Sequence, residues 1–303
     1  MSLRLPPPGP ATEREAIFSA LVAAASGASA RWISRLCARA DIEPHPESGP
    51  SAGIGARDAP RCQPSPSSPN ALGPPELSIG SGVQATPSPR RLGFVGSAVT
   101  TKSHWEGVYR SKAADQVSWY RPHLETSLRL IEQAAPDHLE RAVIDVGGGE
   151  STLVDDLVSR GYGDVTVLDI SQAAIDVAKA RLGPAAALVR WISGDITQIE
   201  LPAARYDVWH DRAVFHFLTD EGQRQVYVRQ VAHAVKPGGH VIVATFGPEG
   251  PETCSGLDVV RYDANALHGQ FGPKFELLDH RTELHETPWG ATQQFLYCFC
   301  RLD

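Results

Sequence analysis

The chain has 303 residues, a formal net charge of −7, 27 Gly, 24 Pro and five Cys. That length admits one large domain or two ordinary ones, and the acidic balance argues against a general nucleic-acid binder, which presents a basic face. The scattered cysteines form neither a disulfide framework nor the paired spacing of a metal site. No run approaches the roughly 18 apolar residues of a bilayer span, so the expected setting is the reducing cytoplasm, without metal, membrane or nucleic-acid partners.

Up to about Thr100 the sequence is rich in Pro, Ser, Gly, Ala and Arg and contains no Lys. Runs such as Pro6-Pro7-Pro8, Pro64-Ser65-Pro66 and Ser88-Pro89-Arg90-Arg91 cannot enter helix or sheet interiors. Few aromatic or β-branched residues are present to offset the entropy of ordering. Residues 1–100 therefore read as a low-complexity, disordered extension, and residues 101–303 as one folded domain with a substantial core. Within the extension, residues 13–40 have the composition of an Ala-rich helix. Two other readings stay open: a targeting segment, against which Glu13 and Glu15 argue, and a leader ahead of an alternative start at Val95 or Val99, since Met1 is the only methionine.

The folded part begins with a helical pattern over 122–135, with Pro122 at a first-turn position and Leu124, Leu128 and Ile131 at helical spacing. Arg141–Val146 reads as the first strand, followed by a helix from about Ser151 to Arg160. Asp164–Leu168 is a second strand, apolar enough for burial on both faces. Ser171 is positioned to cap a helix running to Leu182, with Ala174, Ile175 and Ala178 on one stripe. Leu188–Ile192 and Tyr206–His210 are the third and fourth strands. A helix from Asp220 to Val235 stops at Lys236-Pro237-Gly238-Gly239, before a fifth strand, His240–Phe246. After a short helix at 264–271, Phe275–Glu286 and Ala291–Arg301 flank Thr287-Pro288-Trp289-Gly290 as a closing hairpin. Cys298 and Cys300 share one face of its last strand and read as small apolar core residues. Alternating units predict a doubly wound α/β fold, a mostly parallel sheet with right-handed crossovers and an antiparallel hairpin strand at one edge.

The chemistry-bearing positions lie at the carboxyl ends of these strands. The first strand ends in Asp145-Val146-Gly147-Gly148-Gly149, the second in Asp169-Ile170, and Gly194-Asp195-Ile196 follows the third. A glycine loop and two acids at successive strand ends describe a nucleoside crevice, because ligands of open α/β sheets sit there, at the switch point. A dinucleotide site requires a third glycine where Thr152 stands, and Glu150 would set a negative charge beside a pyrophosphate. The acid at Asp145 suits a ligand carrying an ammonium and a sulfonium better.

Asp145-Val146-Gly147-Gly148-Gly149, Asp169-Ile170, Gly194-Asp195-Ile196 and Lys236-Pro237-Gly238-Gly239, in that order, resemble the class I S-adenosylmethionine-dependent methyltransferases over roughly residues 104–303. The resemblance implies a Rossmann-like seven-stranded sheet with its last strand antiparallel, and S-adenosyl-L-methionine as cofactor. It places Asp145 near the methionine part, with Gly147 and Gly149 allowing close approach. It gives Asp169 the ribose hydroxyls, packs Ile170 and Ile196 on the adenine, and gives Asp195 its amino group. His104-Trp105-Glu106-Gly107-Val108-Tyr109 and Trp119-Tyr120-Arg121-Pro122 resemble the leader of small bacterial-type members, implying that Tyr109, Trp119 and Tyr120 form a lid or simply pack the leading helix.

Transfer to a thiol, soft anion or neutral amine needs mainly positioning and exclusion of water, whereas a hydroxyl needs a base. His210, Asp211 and His216, following the fourth strand, are the catalytic candidates, each with a structural reading beside it. Arg212 would bind an anionic acceptor or pair with Asp211. The Pro/Gly-rich 247–257 segment is a substrate gate or a connector. There is no Asn/Asp-Pro-Pro-Tyr/Phe after the fourth strand and no cysteine after a proline, which leaves a small molecule, or else a protein side chain, as acceptor. A non-catalytic accessory protein binding the same cofactor and a nicotinamide-dependent oxidoreductase are the competing readings.

Overall fold

The computed structural model describes residues 95–137 and 140–303; the readings made for residues 1–94 lie outside them. A leading helix, α1 (Val95–Ser111), starts slightly ahead of the boundary expected at 101. Helix α2 (Glu125–Ala134) buries Leu128, Leu130, Ile131 and Ala134, the face its spacing predicted. It begins later than expected: Leu124 is non-helical, with φ −98° and ψ 69°. His123 is held by Asp156 at 3.0 Å, which keeps the Pro122 segment as a connector.

Strands and helices then follow as β1 (Ala142–Val146), α3 (Leu153–Ser159), β2 (Asp164–Asp169), α4 (Gln172–Leu182), β3 (Val189–Ser193), β4 (Tyr206–Arg212), α5 (Glu221–Ala234) and β5 (Val235–Phe246). The chain ends in the two-residue pair β6 (Thr253–Cys254) and β7 (Leu257–Asp258), helix α6 (Ala264–Phe271), and the strands β8 (Phe275–Glu286) and β9 (Thr292–Leu302). Ser171 caps α4 by accepting from the Ala174 N–H at 3.3 Å, and Asp220 caps α5 through Gln223 N–H at 3.0 Å, as short polar side chains do at helix starts.

The seven-stranded sheet runs β3-β2-β1-β4-β5-β9-β8. The first five are parallel, and β9 pairs antiparallel with both β5 and β8. The antiparallel strand is therefore not at the edge, as expected, but one place in. The reason lies in the two sequences: β9 is buried almost throughout, so it takes two neighbours, while β8 alternates with exposed positions and tolerates an open side. Lys236-Pro237-Gly238-Gly239 corrects a second expectation. It forms no separate turn but an irregular start to β5, where the pairing with β4 shifts between Tyr206 and Val208. Lys236 Nζ lies 2.7 Å from Asp207, which also accepts from Arg141 and the Ala142 N–H and is held below the usual carboxylate range by these donors against its burial.

Alternate residues of each strand feed two cores. Ile144 and Val146 pack with Trp209, Tyr227 and Phe271 on the α5–α6 side. Val143 packs with Ile131, Leu157 and Phe299 on the α2–α3 side. Each fully buried side chain of this size contributes about 1.5–3 kcal/mol. Cys298 and Cys300 lie in one of these cores with sulfurs 3.2 Å apart, as their spacing predicted. No described helix is long and apolar enough to cross a membrane. Because β1 has β2 on one side and β4 on the other, the chain reverses direction across the sheet at β1, opening a crevice at the strands' carboxyl ends.

Candidate active site

The loop after β1 is shaped by what its glycines leave open. Gly147 adopts φ +70°, and a Cβ there would fall 2.0 Å from Val214 Cγ2. At Gly148 a Cβ would come within 2.5 Å of Asp145 Oδ2, and at Gly149 within 2.8 Å of Asp169 Oδ2. The loop is a backbone cradle laid against two carboxylates. Gly148 was missed from the sequence because nothing local marks which of three glycines lies over Asp145.

A cavity of about 340 Å³ fills the crevice, with Gly147, Asp169, Ile170, Asp195 and Ile196 in its wall. Asp145 lines a smaller adjoining cavity of about 40 Å³; Tyr109, Trp119, Gly147 and Arg212 line both. Asp169 Oδ1 accepts the Ser171 N–H at 2.7 Å. Burial raises the Asp169 carboxyl to about 7, with the Asp145 charge adding to it and the Ser171 and Gly149 amides opposing. Asp195 is held by its own turn, accepting from the Thr197 N–H at 2.8 Å, the Thr197 hydroxyl at 2.7 Å and Gln198 Nε2 at 3.1 Å.

Helix α1 closes over this crevice. Glu106 Oε1 accepts the Gln172 N–H at the start of α4 at 2.7 Å. The Tyr109 hydroxyl lies beside Gly149, and burial, with the Asp169 and Glu150 charges, pushes it well above the ordinary phenol value. Trp105 meets Trp119 at 5.8 Å and Phe217 at 5.0 Å, and Tyr109 meets Trp119 at 6.3 Å, so the four rings form a continuous aromatic wall. Tyr120 reaches only the smaller cavity. Trp105 and Phe217 escaped the sequence reading because their meeting joins segments more than a hundred residues apart.

The three catalytic candidates are not brought together in the large cavity. His210 is buried between Asp145 and Ser127, at 2.7 and 2.9 Å, and reaches only the smaller cavity. Asp211 accepts from Val214 N–H, Phe215 N–H and the Tyr227 hydroxyl at 2.9, 3.1 and 2.6 Å. His216 is fully buried, its Nδ1 accepting the Phe246 N–H at 3.2 Å; burial and the Arg212 charge push it down to about 3. Arg212 does not pair with Asp211. Its Nε donates to Tyr297 and its Nη1 to the Trp119 carbonyl, its Nη2 faces Glu283 at 3.7 Å, and its guanidinium stacks 4.0 Å over Phe295. Immediately after Arg212, Ala213 carries φ +75°, a strained left-handed conformation at the cavity wall of the kind that collects at functional sites. The 247–257 segment sends Cys254 and Leu257 into the wall.

A family described as "Methyltransferase domain" matches residues 143–239, the span from β1 to the start of β5. Residues 143–239 are thus similar to a methyltransferase domain, and the fold around them is shared with a solved S-adenosylmethionine-dependent methyltransferase of Anabaena variabilis at a TM-score of 0.53 and 15% identity, covering 69% of this chain and 96% of that one. The chain is similar to the mouse eEF1A lysine and N-terminal methyltransferase, 30% identical over 140 residues that make up 46% of this chain and 19% of that protein. It is also similar to the human EEF1A lysine methyltransferase 2, 23% identical across 63% of this chain and 81% of that one, and to the ubiquinone biosynthesis O-methyltransferase of Serratia proteamaculans, 30% identical across 39% and 48%. The chain thus spans about a fifth of the mouse relative's length. Among solved structures, the N-methyltransferase NodS of Bradyrhizobium japonicum with S-adenosyl-l-homocysteine shares the fold at a TM-score of 0.51 and 16% identity, covering 65% of this chain and 97% of that one. For a domain of this kind the cofactor in question is S-adenosylmethionine. Its residues fit that group: the cradle is one that a Cβ would fill, and Asp145 Oδ2 is buried without a hydrogen-bond partner, the kind of acceptor an ammonium needs.

Proposed function

We propose that this domain methylates an amine nitrogen on a slender acceptor, a small molecule in the first instance or a protein side chain. The observation that carries the reading is the cavity wall: four aromatic rings, and no histidine or lysine among the described lining residues. An amine arriving uncharged needs no protein base, only alignment and exclusion of water, whereas a hydroxyl does need one. Aromatic faces also favour the cationic methylammonium product. The relatives named for lysine, N-terminal and N-methyl transfer support this choice; the O-methyltransferase relative represents the competing acceptor class.

In this reading Asp145 meets the methionine end of the cofactor, and the Gly147 and Gly149 backbones admit it closely. Asp169 takes the ribose hydroxyls, Asp195 the adenine amino group, and Ile170 and Ile196 pack on the base. Tyr109 and Trp119 close over it. Bound there, the cofactor supplies an electrophilic methyl group on a positively charged sulfur. Asp211 and His216 shape the turn after β4 and do not move a proton. Incubation with methyl-labelled cofactor and pools of amines, thiols and phenols is expected to label amines. Label confined to phenols or thiols would overturn the acceptor assignment.

A further inference from the structure

Beneath the glycine loop runs a line of buried polar side chains drawn from four elements. Arg212 Nε lies 3.1 Å from the Tyr297 hydroxyl, which lies 3.4 Å from Ser127 Oγ. Ser127 Oγ is 2.9 Å from His210 Nε2, and His210 Nδ1 is 2.7 Å from Asp145 Oδ1. Tyr297, Ser127, His210 and Asp145 are all 2% exposed or less. With a neutral imidazole at His210, one set of directions satisfies every link. Arginine Nε only donates and an ionised carboxylate only accepts, so the Tyr297 hydroxyl turns to Ser127 and the Ser127 hydroxyl to Nε2. His210 then carries its proton on Nδ1 and donates it to Asp145. The second carboxylate oxygen, Oδ2, is left buried and unpartnered.

The distances among Asp145, His210 and Ser127 would also suit a nucleophilic triad. Ser127, however, is fully buried and lines neither cavity, so its hydroxyl meets no substrate.

We propose that His210 and Ser127 are positioning residues for the cofactor, clamping one oxygen of Asp145 so that the other is held ready for the ammonium of the methionine moiety. This rests on the reading of Asp145 as the methionine-end residue. A ligand carrying that ammonium should sense the clamp, and one lacking it should not. The test is calorimetric titration of the full chain with S-adenosylhomocysteine and with 5′-methylthioadenosine, which has no amino-acid portion. His210→Leu is expected to weaken S-adenosylhomocysteine about tenfold or more, as for loss of a hydrogen bond to a charged group, and to leave 5′-methylthioadenosine unchanged. His210→Asn, whose amide nitrogen takes the place of Nδ1, should recover much of the loss. Ser127→Ala, which removes a single hydroxyl, carries the same ligand-selective expectation should His210→Leu fail to fold. Equal losses for both ligands would assign a purely structural role and overturn the proposal, as would unchanged S-adenosylhomocysteine binding in Ser127→Ala and His210→Leu. A parent protein that binds neither ligand would instead overturn the cofactor site on which it stands.

Discussion

His216 and the buried aspartates pull stability in opposite directions with pH. Burial pushes His216 down to about 3, while in the unfolded chain a histidine takes its proton near 6.5. Between those values the unfolded state binds more protons, so this contribution is complete above about pH 6.5 and lost as pH falls. His216→Asn keeps an acceptor for the Phe246 N–H but cannot titrate. Between pH 7 and pH 5 it is expected to lose about 2 kcal/mol less than the parent, read by urea unfolding at both values; parallel losses would show that His216 does not set this dependence. Asp169 and Asp211, each raised to about 7 chiefly by burial, act the other way. The folded protein keeps protons that the unfolded chain releases between about pH 4 and 7, so their contribution declines as pH rises through that window.

At the scale of elements, the turn from β2 into α4 concentrates the site. Asp169 accepts from the Ser171 N–H, Glu106 of α1 from the Gln172 N–H, and Ser171 Oγ from the Ala174 N–H, at 2.7, 2.7 and 3.3 Å. Three oxygens thus satisfy amides that a helix start leaves free, and the two carboxylates match its positive end. The same turn carries the expected ribose acid and anchors the helix that closes the crevice, so the cap and the proposed ribose site share one set of hydrogen bonds. Ser171→Ala is expected to cost about 1 kcal/mol of stability, measured by chemical denaturation; no loss would mean that Glu106 and Asp169 hold the turn alone.

Across the whole molecule, the reversal at β1 gathers Asp145, Asp169 and Asp195 from three separate stretches of chain around one crevice. A ligand bound only by the folded state stabilises it by mass action. At about a hundredfold excess over its Kd, S-adenosylhomocysteine is therefore expected to raise Tm by roughly 5–10 °C. Thermal melts with S-adenosylhomocysteine and with NADH side by side check this, and a shift with NADH alone would overturn the cofactor assignment.

The strand ends, the acid positions and the Ser171 cap were legible in the sequence because each depends on neighbours a few residues away: apolar periodicity, a polar side chain before a helix, glycine before a tight turn. The fate of His210, Asp211 and His216 was not. Their types and position suggested proton transfer, but Asp211 is claimed by Tyr227, His216 by the Phe246 amide, and His210 by Ser127 and Asp145. Arg212 finds Glu283 and Tyr297 on the closing strands in place of its chain neighbour. Likewise, the place of β9 inside the sheet follows from burial on both its sides, which a hairpin pattern does not encode. Local chemistry determined which residues stand at the crevice; long-range packing alone decided which of them line its cavity and which are consumed in holding the others.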